Sequence, residues 1–169
     1  MELKPFSKDD FQILSSWFPS EASLIQWGGH FLTFPLDNRQ MEEMLRESCN
    51  NPPSRKCWMI VEKEGIIGHS QLAFDWRNGN STLGRVAVEP SHRGKGLAVP
   101  MLQLLVKEAF SHPAIHRLEL NVYSFNAPAI RIYTRLGFTV EGPRRSAAAV
   151  GKERWDVCGM SILRNEYID

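Results

Sequence analysis

Residues 86–98, VAVEPSHRGKGLA, combine types and spacing that point to anion chemistry. Val86, Ala87 and Val88 read as the end of a strand that Pro90 stops, and Gly94 and Gly96 let the backbone turn tightly with no side chain over it. A helix begins next, so the amides of Gly94, Lys95, Gly96, Leu97, Ala98 and Val99 fall in a loop and first turn where helical donors have no acceptor of their own. The helix dipole adds about 0.3–1 kcal/mol in favour of an anion. Such a loop suits phosphate, and Arg93 and Lys95 can add charge-assisted hydrogen bonds. The spacing excludes two nucleotide patterns: GxxxxGK[ST] is absent, and GxGxxG fails because Val99 stands where a third glycine would be. A surface turn with two glycines and no ligand has the same local pattern, so the loop does not decide the matter alone.

A second segment, residues 121–138 (NVYSFNAPAIRIYTRLGF), puts Asn126 and Tyr133 two helical turns apart, with Ala129 and Tyr133 on one side at i,i+4. An amide and a phenol then face one cleft. The same residues also make an ordinary amphipathic stripe, with Tyr133 in the core and Asn126 as a helix cap, and both readings stand at this point.

The elements that must position these residues alternate between strand and helix periods, which predicts a mixed α/β fold. Residues 2–6 read as a first strand, and Ser7 caps a helix running to about Trp17. Residues 20–35 read as aromatic-rich and irregular, and 36–48 as a helix. Residues 57–62, 66–74 and 82–88 form an antiparallel meander with turns at Glu64-Gly65 and 77–80. A helix from about Leu97 to Phe110 follows, then a strand at 116–123, a helix at 127–136 ended by Gly137, and strands near 138–141 and 154–163. Pro100 is tolerable near the helix start, where its missing N–H would have lacked a partner in any case.

Composition bounds the function. The 169 residues, 43% hydrophobic, are expected to form one domain over 1–169, and the net charge of +1 leaves no basic footprint for nucleic acid. No run of 18 apolar residues and no signal-type leader is present, so a cytoplasmic protein with no membrane partner is expected. Cys49, Cys57 and Cys158 show no metal or redox spacing and read as reduced thiols; no metal is expected.

Taken together and in this order, the two segments resemble the GNAT superfamily of N-acetyltransferases. Arg93-Gly94-Lys95-Gly96-Leu97-Ala98 fits the family's [QR]-x-x-G-x-[GA] pyrophosphate loop, and Asn126, Ala129, Tyr133, Gly137 and Phe138 fit its N-x-x-A-x-x-x-Y-x-x-x-G-F pattern. The match is good over about 57–138, and its details resemble the branch that includes the ribosomal-protein and antibiotic N-acetyltransferases. The resemblance implies a mostly antiparallel, twisted sheet of six to seven strands with about four helices on both faces and a splayed central parallel pair. It implies acetyl-CoA as cosubstrate, with pantetheine against the backbone of Val86 and Val88, the thioester carbonyl polarised by the amide of Val86 or Ala87, and Tyr133 beside the departing thiolate. Ordinary values of about 10 for phenol and 8.5 for thiol put full proton transfer roughly 2 kcal/mol uphill, which favours hydrogen bonding.

An amine acceptor, small molecule or peptide, must lose a proton first, at about 1 kcal/mol for an α-amine and about 4.6 for a lysine at pH 7. Glu119 occupies the strand position where family members carry a glutamate acting through water; His69 is a weaker candidate base, and Cys158 a remote candidate for an acetyl-cysteine route. The acceptor pocket is expected around Trp27, His30 and Phe31, and in a loop at 144–155 whose Arg144, Arg145, Lys152 and Arg154 fit a carboxylate-bearing acceptor or a plain solvated face. A homodimer through exposed sheet edges is open, as is a catalytically silent acetyl-CoA-binding regulatory module.

Overall fold

The computed structural model describes residues 1–63 and 65–168. Its seven strands are β1 (Glu2–Pro5), β2 (Arg55–Glu62), β3 (Gly65–Asp75), β4 (Asn80–Val88), β5 (Arg117–Tyr123), β6 (Thr139–Val150) and β7 (Glu153–Leu163). They form one sheet in the order β1-β2-β3-β4-β5-β7-β6, antiparallel throughout except for β4 and β5. The helices are α1 (Phe11–Ser16), α2 (Glu21–Gly28), α3 (Asn38–Ser48), α4 (Ala98–Ser111) and α5 (Ala127–Arg135). This is the mixed fold expected, with five α-helices where the sequence pattern gave about four.

Each face of the sheet carries its own core. On one side Leu102, Leu105, Val106 and Ala109 of α4 pack on Leu72, Leu83, Leu118, Leu120 and Met160, with Ile132 and Tyr133 of α5 at the margin. On the other, Phe11, Leu14, Leu24, Met41 and Met44 of the first three helices cover Cys57, Met59 and Ala87.

Two segments differ from expectation. Residues 20–35 are not irregular throughout: Ser20 caps α2 by accepting from the Ser23 amide, a serine pair whose capping signal is overshadowed by the aromatics and glycines around it. Residues 144–155 are not a loop but the far half of the β6–β7 hairpin, so the strand expected near 138–141 runs on to Val150. Gly142 and Pro143 argue against a long strand, yet β6 is the edge of the sheet, where proline forfeits no ladder bond and a shifted register absorbs the irregularity. Of the turn expected at Glu64-Gly65, Glu64 lies outside the described residues.

The feature that matters most for a site lies at the centre. β4 and β5 pair only from Asn80 opposite Arg117 to Leu83 opposite Leu120; beyond that the two strands part. The departure coincides with a bulge against β3, where the register shifts between His69 and Gln71, and with Arg85 at a left-handed φ of 52°. A non-glycine residue in that region stores about 1–3 kcal/mol of strain, so the surroundings must hold it. They do so through the Arg85 carbonyl, which accepts from the Trp27 indole Nε1 at 2.6 Å and lies 3.2 Å from His69 Nδ1. Because a carbonyl can only accept, this contact assigns the His69 proton to Nδ1, leaving Nε2 buried without a partner. Phe6 and Trp27 meet the imidazole with edge-to-face contacts, and burial pushes its pKa down to about 3.

His69 is therefore neutral in the native state and titrates near 6.5 once unfolded. Between those values the unfolded chain binds a proton that the folded chain refuses, so stability falls as pH drops from about 6.5 towards 3, by up to roughly 1.4 kcal/mol per pH unit. Denaturant titrations across that window should show this slope in the native protein and lose it in His69→Gln, relative to each protein at pH 7.5.

Candidate active site

The phosphate-type loop has the geometry its glycines imply. Gly94 and Gly96 both take φ +77°, and α4 begins at Ala98 with Leu97 as an N-cap that offers no side-chain acceptor. Among the described residues the amides of Gly94, Lys95, Gly96, Leu97, Ala98 and Val99 reach no acceptor within the chain, the Met101 amide being the first to find one, on Leu97. Pro100 is the third helical residue and removes nothing from the ladder. Arg93 folds its Nε onto the Val88 carbonyl at 3.2 Å, and Lys95 is exposed beside it.

A row of three adjoining cavities, which share lining residues, leads from Arg93 through the parted strands. Its first part is bounded by Arg93, Val86, Ala87, Val88, Trp27 and Asn126. Its second is a slot of about 210 Å³ between β4 and β5, bounded by Val86, Val88, Ala98, Val122, Asn126, Ala129 and Tyr133. The third is a chamber of about 300 Å³ on the α2 side of the sheet, which shares Trp27, Leu83, Gly84, Arg85, Asn121, Val122 and Tyr123 with the slot. His30 and Phe31 line the chamber mouth, their rings 4.0 Å apart, and Phe31 is 84% exposed.

Two roles that α5 could play turn out to coexist. Asn126 is its N-cap, accepting from the Ala129 amide at 3.3 Å, and Tyr133 packs on Phe138 and the α4-side core. Yet Asn126, Ala129 and Tyr133 all border the slot. The Tyr133 hydroxyl has no hydrogen-bond partner among the described residues, and burial pushes its pKa up to about 12. Phenolate is thus costly there, and the group is suited to donating a hydrogen bond.

The proposed proton acceptors fare differently. Glu119 borders neither slot nor chamber: its Oε2 is held by Arg117 Nε at 2.9 Å, and it lines a neighbouring cleft that shares Asn121 and Arg144 with the chamber. Arg117 also grips Glu141 through both Nη atoms at 2.7 and 2.6 Å, which brings the Glu141 carboxyl down to about 2. Glu119 Oε1 lies 3.5 Å from the Thr82 hydroxyl, and Thr82 does reach the chamber. His69, sealed inside and bound to the Arg85 carbonyl, is a structural clamp rather than a base. Cys158 is buried in the α4-side core and lines neither slot nor chamber, which leaves an acetyl-cysteine route without a geometry.

Three chamber residues carry no signal in either segment motif: Arg55, Arg85 and Tyr123. Arg85 had one visible trace, a cation in the middle of the apolar run LGRVAV. Tyr123 directs its hydroxyl to the Ile25 carbonyl of α2 at 3.3 Å and so ties the chamber roof to β5.

Among the described residues no cluster of His, Cys, Asp and Glu could hold a metal ion, and no helix is long and apolar enough to cross a membrane. The chain is 31% identical over 137 residues to the SPbeta prophage-derived N-acetyltransferase YokL of Bacillus subtilis, covering 80% of this chain and 76% of that one. It is 33% identical over 114 residues to the L-methionine sulfoximine/L-methionine sulfone acetyltransferase of Salmonella typhimurium, covering 64% and 66% of the two chains. Its fold matches that of spermidine N-acetyltransferase from Vibrio cholerae, solved with CoA and spermine, with a TM-score of 0.84 over 99% of this chain and 98% of that one at 18% identity. Residues 17–138, which contain the loop, both parted strands and α5, match the Acetyltransferase (GNAT) family, and the chain belongs to that family as an acetyl-CoA-dependent N-acetyltransferase acting on an amine.

Proposed function

We propose that the recess from the Gly94–Gly96 loop to the Trp27 chamber is the reaction path, with the coenzyme entering at the loop and the amine at the chamber. The observation that carries this reading is the succession of three features along the adjoining cavities: bare amides at the start of α4, the edge of β4 beyond Leu83 that β5 leaves unpaired, and a phenol without a hydrogen-bond partner among the described residues at the far wall. Amides at a helix start take the diphosphate. The amide-rich arm lies as a short extra strand along Val86 and Val88, the way extended peptides add to a free sheet edge. An amide of Val86 or Ala87 then polarises the thioester carbonyl, and the amine attacks directly, without an acetylated protein intermediate.

Tyr133 serves the leaving sulfur. With the phenol at about 12 and a thiol near 8.5, complete transfer would run roughly 5 kcal/mol uphill, so the group acts by donating a hydrogen bond to developing thiolate while the proton from the amine ends on sulfur. Glu119 takes the other proton, the one the ammonium loses before it attacks, at one remove, through water beside Thr82. Arg117 holds its Oε2, which leaves Oε1, on the Thr82 side, as the end that can meet that water.

Within the family we retain the resemblance to the branch of ribosomal-protein and antibiotic N-acetyltransferases. Relatives named for a sulfone-bearing amino acid and for spermidine stand beside it, so the acceptor is argued from the chamber and not from the branch. The three free cysteines and a coenzyme of intracellular metabolism support a cytoplasmic setting.

Two variants test the path. Tyr133→Phe should lower kcat about 100-fold or more while changing the affinity for acetyl-CoA by no more than about threefold, as read by thiol release and calorimetry; unchanged kcat removes its role. Gly96→Ala should do the reverse. A Cβ at φ +77° costs about 1–2 kcal/mol, so the loop no longer presents its amides together, coenzyme Kd should rise about tenfold, and the thermal shift at fixed CoA should shrink.

A further inference from the structure

The chamber carries positive charge on a largely uncharged wall. Arg55, Arg85 and Arg144 line it, from three different strands, and among the described residues no aspartate or glutamate does. Arg85 Nη1 and Arg55 Nη1 converge on one atom, Oε1 of Gln71, at 3.1 and 3.2 Å. Gln71 is fully buried, and its other end is fixed by the contact of Nε2 with the Met44 sulfur at 3.2 Å, so this amide oxygen is aimed deliberately at the two guanidinium groups. Arg55 is neutralised by Glu47, which lies outside the chamber lining. Arg85 has no carboxylate partner among the described residues; it rests 6.0 Å from the Trp27 ring, and desolvation lowers its pKa to about 10. Arg144 Nη2 donates to Asn121 Oδ1 at 2.8 Å on the opposite wall. A half-buried arginine with a neutral amide, an aromatic face and a second arginine for company lacks one thing, an anion.

We propose that the acceptor is a primary amine carrying a carboxylate, an α-amino acid with an apolar side chain, whose carboxylate is bound by Arg85 and Arg55 while its amine faces the slot. The proposal rests on the reading of the slot and chamber as the transfer site, and it names what that site selects. Size agrees, since about 300 Å³ is at the small end of ligand pockets. So does the lining, where Trp27, Leu83, Val122 and Val157 offer apolar wall beside the arginines. A polyamine, by contrast, would bring two or more further cations against three arginines with no carboxylate to receive them. In the reaction the amine nitrogen forms the amide bond to the acetyl carbon, the carbon–sulfur bond breaks, the amine proton ends on sulfur, and the carboxylate stays untouched.

The test needs no variant at its core. Thiol release from acetyl-CoA is measured with L-phenylalanine, with 2-phenylethylamine, which differs by loss of the carboxylate, with L-leucine, and with spermidine. The amino acids should exceed 2-phenylethylamine and spermidine in kcat/KM by roughly 10- to 100-fold, the value of one or two charged hydrogen bonds. Arg85→Gln and, separately, the more exposed Arg144→Gln should raise KM for L-phenylalanine and shrink its advantage over 2-phenylethylamine, with Arg85→Gln having the larger effect. Retained thermal stabilisation by CoA shows that each variant is folded. Preference for spermidine or 2-phenylethylamine would overturn the proposal and leave the transfer site standing. Thiol release with none of the four, in a protein that CoA still stabilises, would overturn both.

Discussion

Everything the site does depends on the strained peptide at Arg85 in β4 and on the two donors that hold its carbonyl. A parallel pair left to itself would continue its ladder, because each unpaired amide or carbonyl inside a protein is costly. Here the ladder stops at Leu83 and Leu120 because Arg85 adopts a left-handed turn and rotates its carbonyl out of the sheet, towards the Trp27 indole and the His69 imidazole. The strain of about 1–3 kcal/mol is of the same order as two hydrogen bonds, one of them short and both partly buried. The opened strand edge is what a coenzyme arm can occupy. The same turn carries the Arg85 side chain into the chamber, so one backbone irregularity shapes both halves of the site.

The clamp also explains why an ionisable residue is buried with an orphaned nitrogen. His69 is fully enclosed, and its Nε2 finds no partner, which would be wasteful were the ring only filling space. Its Nδ1–H is the useful end. Phe6, Trp27 and the surrounding core keep the ring neutral, and a neutral ring of fixed tautomer is a dependable donor where a protonated one would add a cation beside Arg85. Trp27 is likewise more than a wall of the chamber: it stacks on Phe18 and fastens α2 to β4.

What was legible in the sequence follows from the range of the interactions involved. The loop of Gly94 and Gly96 and the Asn126–Tyr133 spacing are local: positive φ needs glycine, and a helix puts residues seven apart on one side, so type and separation suffice. The sheet with its parallel centre followed from the alternation of elements and the resemblance they completed. The bulge was not legible, because its cause is two side chains 58 and 16 residues away from Arg85. The β6–β7 hairpin was missed for a related reason: Gly142 and Pro143 break strands in general, and only edge position makes them harmless here. Glu119 keeps its expected strand but not an open setting, since Arg117, two residues earlier on the same face, claims one oxygen.

The arrangement of charge in the chamber carries the argument past family membership. Relatives in this family are named for acceptors of different charge, the polycation spermidine and a zwitterionic, sulfone-bearing amino acid, so family membership itself does not select the charge of the acceptor. Selection has to come from the residues that strands β2, β4 and β6 send into the chamber, and among the described residues the charged ones there are arginines. Desolvated arginine without a carboxylate is unfavourable in the free protein, and a ligand that supplies the carboxylate gains what the free protein lacks. The charge of the chamber therefore points to one kind of acceptor, an amine that carries its own carboxylate.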